Sequence, residues 1–138
     1  MATVLGIAGI KLNKEECKNI VAGVTTGIAT ACGFDEEKVS INIIPIAEEC
    51  HGSSMDDRIT YFVYTHAGKS KEEKQRMIKA IYDATIAVTG YRSPYRVVTF
   101  IKEHIFSDMG LDDTLLTEAE EKGLNTFLAK DAKRRQTQ

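Results

Sequence analysis

The residues of this chain best suited to chemistry stand at a helix start. Gly68-Lys69-Ser70 opens a segment of helical periodicity, and the first turn of a helix gathers unpaired backbone N–H groups and positive dipole. A lysine there makes an anion site, with Lys69 acting as a point charge without the bidentate grip of an arginine. His66, just upstream at a strand end, can move a proton near neutral pH. Other pairings offer less. Cys50-His51 are adjacent and so do not face one another, and the flanking segment supplies no orienting third group. His51, His66 and His104 lack the spacing of metal ligands, so neither metal nor cofactor is expected. The Gly68-Lys69-Ser70 triplet echoes a phosphate loop, but Val63 stands where that motif needs its first glycine. Glu48-Glu49 and Asp56-Asp57 read as solvated linker charges.

The elements that must position these groups come as a repeat. Asn13-Lys14-Glu15-Glu16 and Ser70-Lys71-Glu72-Glu73 are two capping boxes, and Gly33 and Gly90 close the helices they open. Ser70 follows Asn13 by 57 positions, as Gly90 follows Gly33. Cys17, Ile20, Val21, Val24, Ile28 and Ala31 form one helical stripe, and Met77, Ile78, Ile81, Thr85 and Val88 the other. Around them the pattern predicts strands over Thr3 to Ala8, Val39 to Ile43 (ended by Pro45), Tyr61 to Tyr64 and Val97 to Ile101. Residues 47–57 read as a connection, Pro94 punctuates a loop, 106–114 is turn-rich, and Thr117 to Lys130 reads as a last helix weakened by Gly123. The chain is therefore one domain: a first unit over 2–46, a linker over 47–57, a second unit over 58–113 and a C-terminal helical segment over 114–138.

Composition narrows the function. The 138 residues are 43% hydrophobic and 28% charged, enough for one core. A net charge of −2 gives no field for a polyanion, so nucleic acid is not the expected partner. The basic cluster from Lys130 to Arg135 reads as a solvated tail. No signal peptide and no membrane span are expected, and three well-separated cysteines suit a reducing cytoplasm.

Each strand-helix-strand unit with a right-handed crossover places its helix on one face of a two-stranded parallel sheet. Joined, the units give an α+β fold, a four-stranded sheet with two helices on one face. The other face stays bare and calls for symmetric self-association.

Gly68-Lys69-Ser70-x-x-x-Lys74, the helix after it, and Val97-Val98-Thr99-Phe100-Ile101-Lys102-Glu103 with a glycine-containing tail resemble the tautomerase superfamily. The doubled layout is similar to its two-unit members, among them malonate semialdehyde decarboxylase and, more closely in the terminal segment, cis-3-chloroacrylic acid dehalogenase. The resemblance covers about residues 2 to 128 and implies a homotrimer with the sheets curled into a central barrel. It further implies proton transfer on a small carboxylated keto or enol substrate by an N-terminal proline. This chain has no such proline. Ala2 falls in its slot, or Met1 if the register shifts by one, and a free Ala2 amine could act as base or form an imine. Lys69 and His66 match the cationic positions that hold the substrate carboxylate, and Arg92 and Arg96, which flank the loop before the fourth strand, could reach a neighbouring chain's site, with Arg96 the further binding candidate. Ile28 and Phe100 replace the histidine and tyrosine of the dehalogenase branch, so haloacrylate hydration is not expected, while Phe100 keeps an aromatic ring for a pocket wall with Phe106, Met109 and Ile7. Three outcomes remain: amine catalysis with Lys69 as anchor, a catalytically silent binding or scaffold trimer, or a pocket using His66 or Glu103 as base.

Overall fold

A computed structural model describes residues 1–90, 96–116 and 136. The elements run β1 (Ala2–Ala8), α1 (Lys14–Cys32), β2 (Val39–Pro45), β3 (Ile59–His66), α2 (Lys71–Thr89), β4 (Val97–His104), β5 (Gly110–Leu111) and β6 (Thr114–Leu115). Both capping boxes form. The Glu16 N–H donates to Asn13 Oδ1 at 2.8 Å, the Glu73 N–H donates to Ser70 Oγ at 3.1 Å, and each N3 glutamate returns the bond to its cap. At the other ends Gly33 (φ 67°) and Gly90 (φ 70°) take the left-handed turn that a side chain would strain.

The sheet order is β2-β1-β3-β4. β1 runs parallel to β2, β3 parallel to β4, and the two central strands meet antiparallel with Ala2 opposite Thr65 and Ala8 opposite Ile59. This antiparallel seam joins two equivalent units, as the repeat requires. Ala2 pairs with Val39 and Ile59 with Val97, so the outer strands keep the extra residue of the second loop. Alternation then sorts the side chains. Ala2, Val4, Ala8, Ile59, Tyr61 and Val63 point to the helices and are buried with Ile20, Val24, Ile28, Met77 and Ile81. The helices pack closely because Gly23 and Gly27 of α1 meet Ala84 and Ala80 of α2, where an added Cβ would crowd the alanine methyl groups. One buried polar pair breaks the apolar pattern: Tyr61 Oη and Thr85 Oγ1 lie 2.7 Å apart, and the threonine hydroxyl also donates to the Ile81 carbonyl.

The opposite sheet face carries no helix of the described residues. Its in-register rows include Ile7 beside Ile44, and Leu5 beside Phe62 beside Phe100, with the two phenyl rings stacked at 5.6 Å. Phe100 is 56% exposed there.

The structure departs from the sequence reading after β4. That strand runs on through Lys102 and Glu103 to His104, because a polar residue on each face does not end an alternation. Residues 106–108 form a 3-10 turn, and β5 and β6 form a two-residue hairpin whose Asp112 has φ 53°. Thr114 and Leu115, assigned above to a helical segment, are therefore strand; aspartate tolerates the left-handed turn that closes the hairpin. The helix expected over Thr117 to Lys130, the basic cluster after it, Arg92 and Pro94 lie outside the described residues. The 47–57 connection holds two 3-10 turns, Glu48–Cys50 and Ser53–Met55.

Candidate active site at the amino terminus

Where β1 begins, β3 and β4 end and α2 starts, the chain gathers its N-terminus with several titratable groups. Met1 precedes the buried Ala2, and the Met1 carbonyl accepts a hydrogen bond from the buried Thr65 hydroxyl at 3.2 Å. Met1 packs against the buried pair Phe106 and Leu116, which Met109 and Leu111 also join, so the hairpin after β4 lies over the terminus. A cleft of about 310 Å³ remains, lined by Met1, Thr3, Tyr64, His104, Asp108, Met109 and Gly110. Burial, then the charges of Lys69 and Lys38, lower the terminal ammonium from 8.0 to about 6. At neutral pH this amine is largely unprotonated.

Lys69 lies on the helix side of the same corner. Its ammonium sits 5.2 Å from the centre of the Phe34 ring, which the first unit contributes from the loop after α1. Gly68 has φ 98°, the backbone turn that brings Lys69 round to the capped end of α2. Glu103 anchors this turn. Its Oε1 is 3.0 Å from Lys74 Nζ, and that contact, reinforced by the Gly68 and Lys69 backbone amides, holds its carboxyl below the usual range. A carboxylate stabilised in this way is a poor proton acceptor, so Glu103 supports the Lys69 turn more than it serves as a base. The Cys32 thiol, at the end of α1 and within the field of Lys69, is pushed up by burial and is therefore a weak nucleophile.

His66 and His104 are partners in the β3–β4 register, with rings edge to face at 6.5 Å. The His66 ring lies on Phe106 at 4.1 Å, and His104 lines the cleft. Burial first, then the neighbouring His66 and terminal amine, hold His104 below its ordinary value, with Asp108 opposing them.

Of the residues singled out from sequence, Ala2, His66, Lys69 and Glu103 thus share one corner. Two do not. Phe100 stands on the bare sheet face stacked with Phe62, and Phe106 and Met109 cover Met1 without it. Arg96 sits at the opposite end of the sheet, paired with Asp57, because it precedes β4 whereas the site lies beyond that strand's end. Sequence reading weighed His104 only as a metal ligand and passed over Tyr64 and Asp108 as site residues. The available signal was the alternation Phe100, Lys102, His104, which continues one face of β4 to the cleft.

A larger hollow, about 860 Å³, lies elsewhere among the described residues: an open groove between the helices, floored by Gly23, Gly27, Ala80 and Ala84. Its Lys79 and Asp83 pair with each other, so it assembles no chemistry comparable to the terminal corner.

No family model and no curated relative matches this sequence. Solved structures do match. A fused 4-OT, described as an asymmetric trimer, superposes with a TM-score of 0.73 at 18% identity over 82% of this chain and 94% of its own. N1, a member of the cis-3-chloroacrylic acid dehalogenase family, gives 0.72 at 12% identity over 93% and 99%. Malonate semialdehyde decarboxylase gives 0.65 at 13% identity over 79% and 89%. The fold is that of the tautomerase superfamily. The neighbours span nearly their full lengths, so the tautomerase fold accounts for both units of this chain and the seam between them. Among the described residues, no helix is long and apolar enough to cross a membrane.

Proposed function

We propose that this protein is a cytoplasmic homotrimer catalysing proton transfer on a small carboxylated keto or enol compound, with the N-terminal amine in the role a proline plays in related enzymes. The observation that carries the reading is that amine: half-buried, beside an open cleft, with its pKa lowered to about 6. It takes a proton from the carbon next to a carbonyl, the C–H electron pair moves into the enolate, and the proton returns to carbon or oxygen, so the isomerisation balances without a cofactor. Lys69, at the capped start of α2, supplies the positive end for the substrate carboxylate. If Met1 is removed, the amine becomes that of Ala2, one residue further into the seam and opposite Thr65. The trimer buries the bare sheet face, where Phe62, Tyr64, Ile44 and Phe100 are exposed in the single chain. The missing proline favours a second reading, a silent trimer kept as a binding scaffold.

The deciding experiment uses untagged protein of known intact mass. It is treated with a panel of 2-keto acids, reduced with borohydride and weighed again, while proton exchange of each acid in D2O is followed by NMR. Exchange together with an N-terminal adduct supports amine catalysis. No exchange across the panel from a protein with a free terminus leaves the silent trimer.

A further inference from the structure

The cleft beside the terminal amine has a second polar arm. We infer that His104, rather than His66, completes the site: its imidazole donates a hydrogen bond to the substrate carbonyl oxygen while the amine exchanges the proton on the neighbouring carbon. This rests on the proton-transfer reading above. Three observations carry it. His104 and Met1 line the same cleft of about 310 Å³. His66 is stacked on Phe106 at 4.1 Å and meets His104 edge to face at 6.5 Å, so one face of its ring is already covered by an aromatic side chain. The backbone of His104 is fixed as the last residue of β4, where its carbonyl accepts the Ala67 N–H at 2.8 Å, so the ring projects from a rigid strand end.

The groups around the ring agree with this role. The terminal amine reaches it from β1, His66 from β3, and Asp108 from the turn after β4, and burial leads the causes that favour the uncharged ring. A neutral imidazole still carries one N–H, and such a donor stabilises a developing enolate oxygen without giving up its proton outright. The balance is simple. The C–H bond breaks as the amine gains an N–H bond, charge accumulates on oxygen against the His104 N–H, and the reverse motion restores the ketone. The ligand class is a 2-oxo acid whose carbonyl lies between its anchored carboxylate and the carbon losing its proton.

The test follows deuterium exchange into the methyl group of pyruvate in D2O, using the full untagged chain and three variants. His104→Phe keeps the ring and removes the donor, His104→Gln keeps an amide donor, and His51→Gln controls with a histidine from the far end of the sheet. In His104→Phe, kcat should fall about 10²- to 10³-fold with KM within about threefold. His104→Gln should recover about a tenth or more of the wild-type rate, and His51→Gln should stay within about threefold of wild type. As a second readout needing no variant, oxalate, a planar dianion like the enolate, should shift the His104 ring-nitrogen resonance in the wild-type protein and leave that of His66 in place. Active wild type with undiminished kcat in His104→Phe, or oxalate that leaves His104 unmoved, overturns the inference and spares the proton-transfer reading. Inactive wild type with a free amine sinks both.

Discussion

The antiparallel seam gives the sheet two ends built by the same repeated unit, and they hold different contents. At one end lie Met1, His66, Lys69 and His104. The positions that match them at the other end, 57 residues along for the first unit and 58 for the outer strand, are Arg58, Gly9, Leu12 and Ile46. No terminal amine is possible at Arg58, which lies inside the chain. The Arg58 carbonyl accepts the Gly9 and Ile10 N–H groups at 3.0 and 3.3 Å, and Gly9 backs so closely onto Met55 that a Cβ would overlap its carbonyl. A hollow of about 470 Å³ survives there, lined in part by His51 and Asp56 of the linker. Duplication supplied two equivalent corners. One keeps a cleft of about 310 Å³ beside Met1 and His104, and the other a hollow of about 470 Å³ bordered by the linker between the units.

Blocking the amine should break this contrast most severely. N-terminal acetylation is expected to reduce keto-acid exchange to background in a continuous NMR assay, while a covalent change at the far end, such as Lys11→Ala, leaves it within about twofold. Next in size, Lys69→Ala should lower kcat/KM about 10- to 100-fold, mostly through KM, because one charge-assisted contact to the carboxylate is lost. Size-exclusion chromatography should show its assembly unchanged.

Packing differences between the halves give smaller effects. Gly9→Ala should cost about 1–3 kcal/mol in urea unfolding, because Met55 must move to admit the methyl group. In the core, Tyr61 and Thr85 occupy the places that Val4 and Ile28 hold in the first unit. Burial drives the Tyr61 phenol up to about 12, so it stays a neutral donor partner for Thr85. Thr85→Val strands that buried hydroxyl and should cost about 1–3 kcal/mol, against about 0.5–1.5 for Ile28→Val, read as the difference in urea midpoints.

The smallest expected effect is a pH dependence of stability. The terminal ammonium has a lower pKa folded, about 6, than its ordinary 8.0, so the unfolded chain binds more protons between these values. Stability should therefore rise from pH 6 to 8, and below about pH 6 the full penalty for the buried charge is present. Because the group is partly exposed, the change in Tm is small, and it should vanish on N-terminal acetylation. A Tm that falls over this window relative to acetylated protein contradicts the assignment.

Much of the fold could be read in order along the chain. Asn13 with Glu16 and Ser70 with Glu73 fix helix starts through bonds three residues long, and Gly33 and Gly90 fix the stops through their own backbone freedom. The candidate site was partly legible: Lys69 announced itself by its place before a cap, and Glu103 was noticed as a candidate base without its contact to Lys74, which cannot be matched to it without knowing how α2 lies over β4. The hairpin around Asp112 was hidden because two-residue strands carry too little alternation to register.

The sequence by itself determined the two units, their caps, the parallel pairing within each and the apolar face left bare, since these follow from local hydrogen bonding and from periodicities of a few residues. Tertiary structure decided which end of the sheet became a site. It brought His104 to the cleft lined by Met1, set Phe34 of the first unit under Lys69 of the second, and moved Arg96 and Phe100 away from both. The physical reason is register: side-chain direction alternates with every residue of a strand, so which distant residues meet is set only when the central strands pair across the seam.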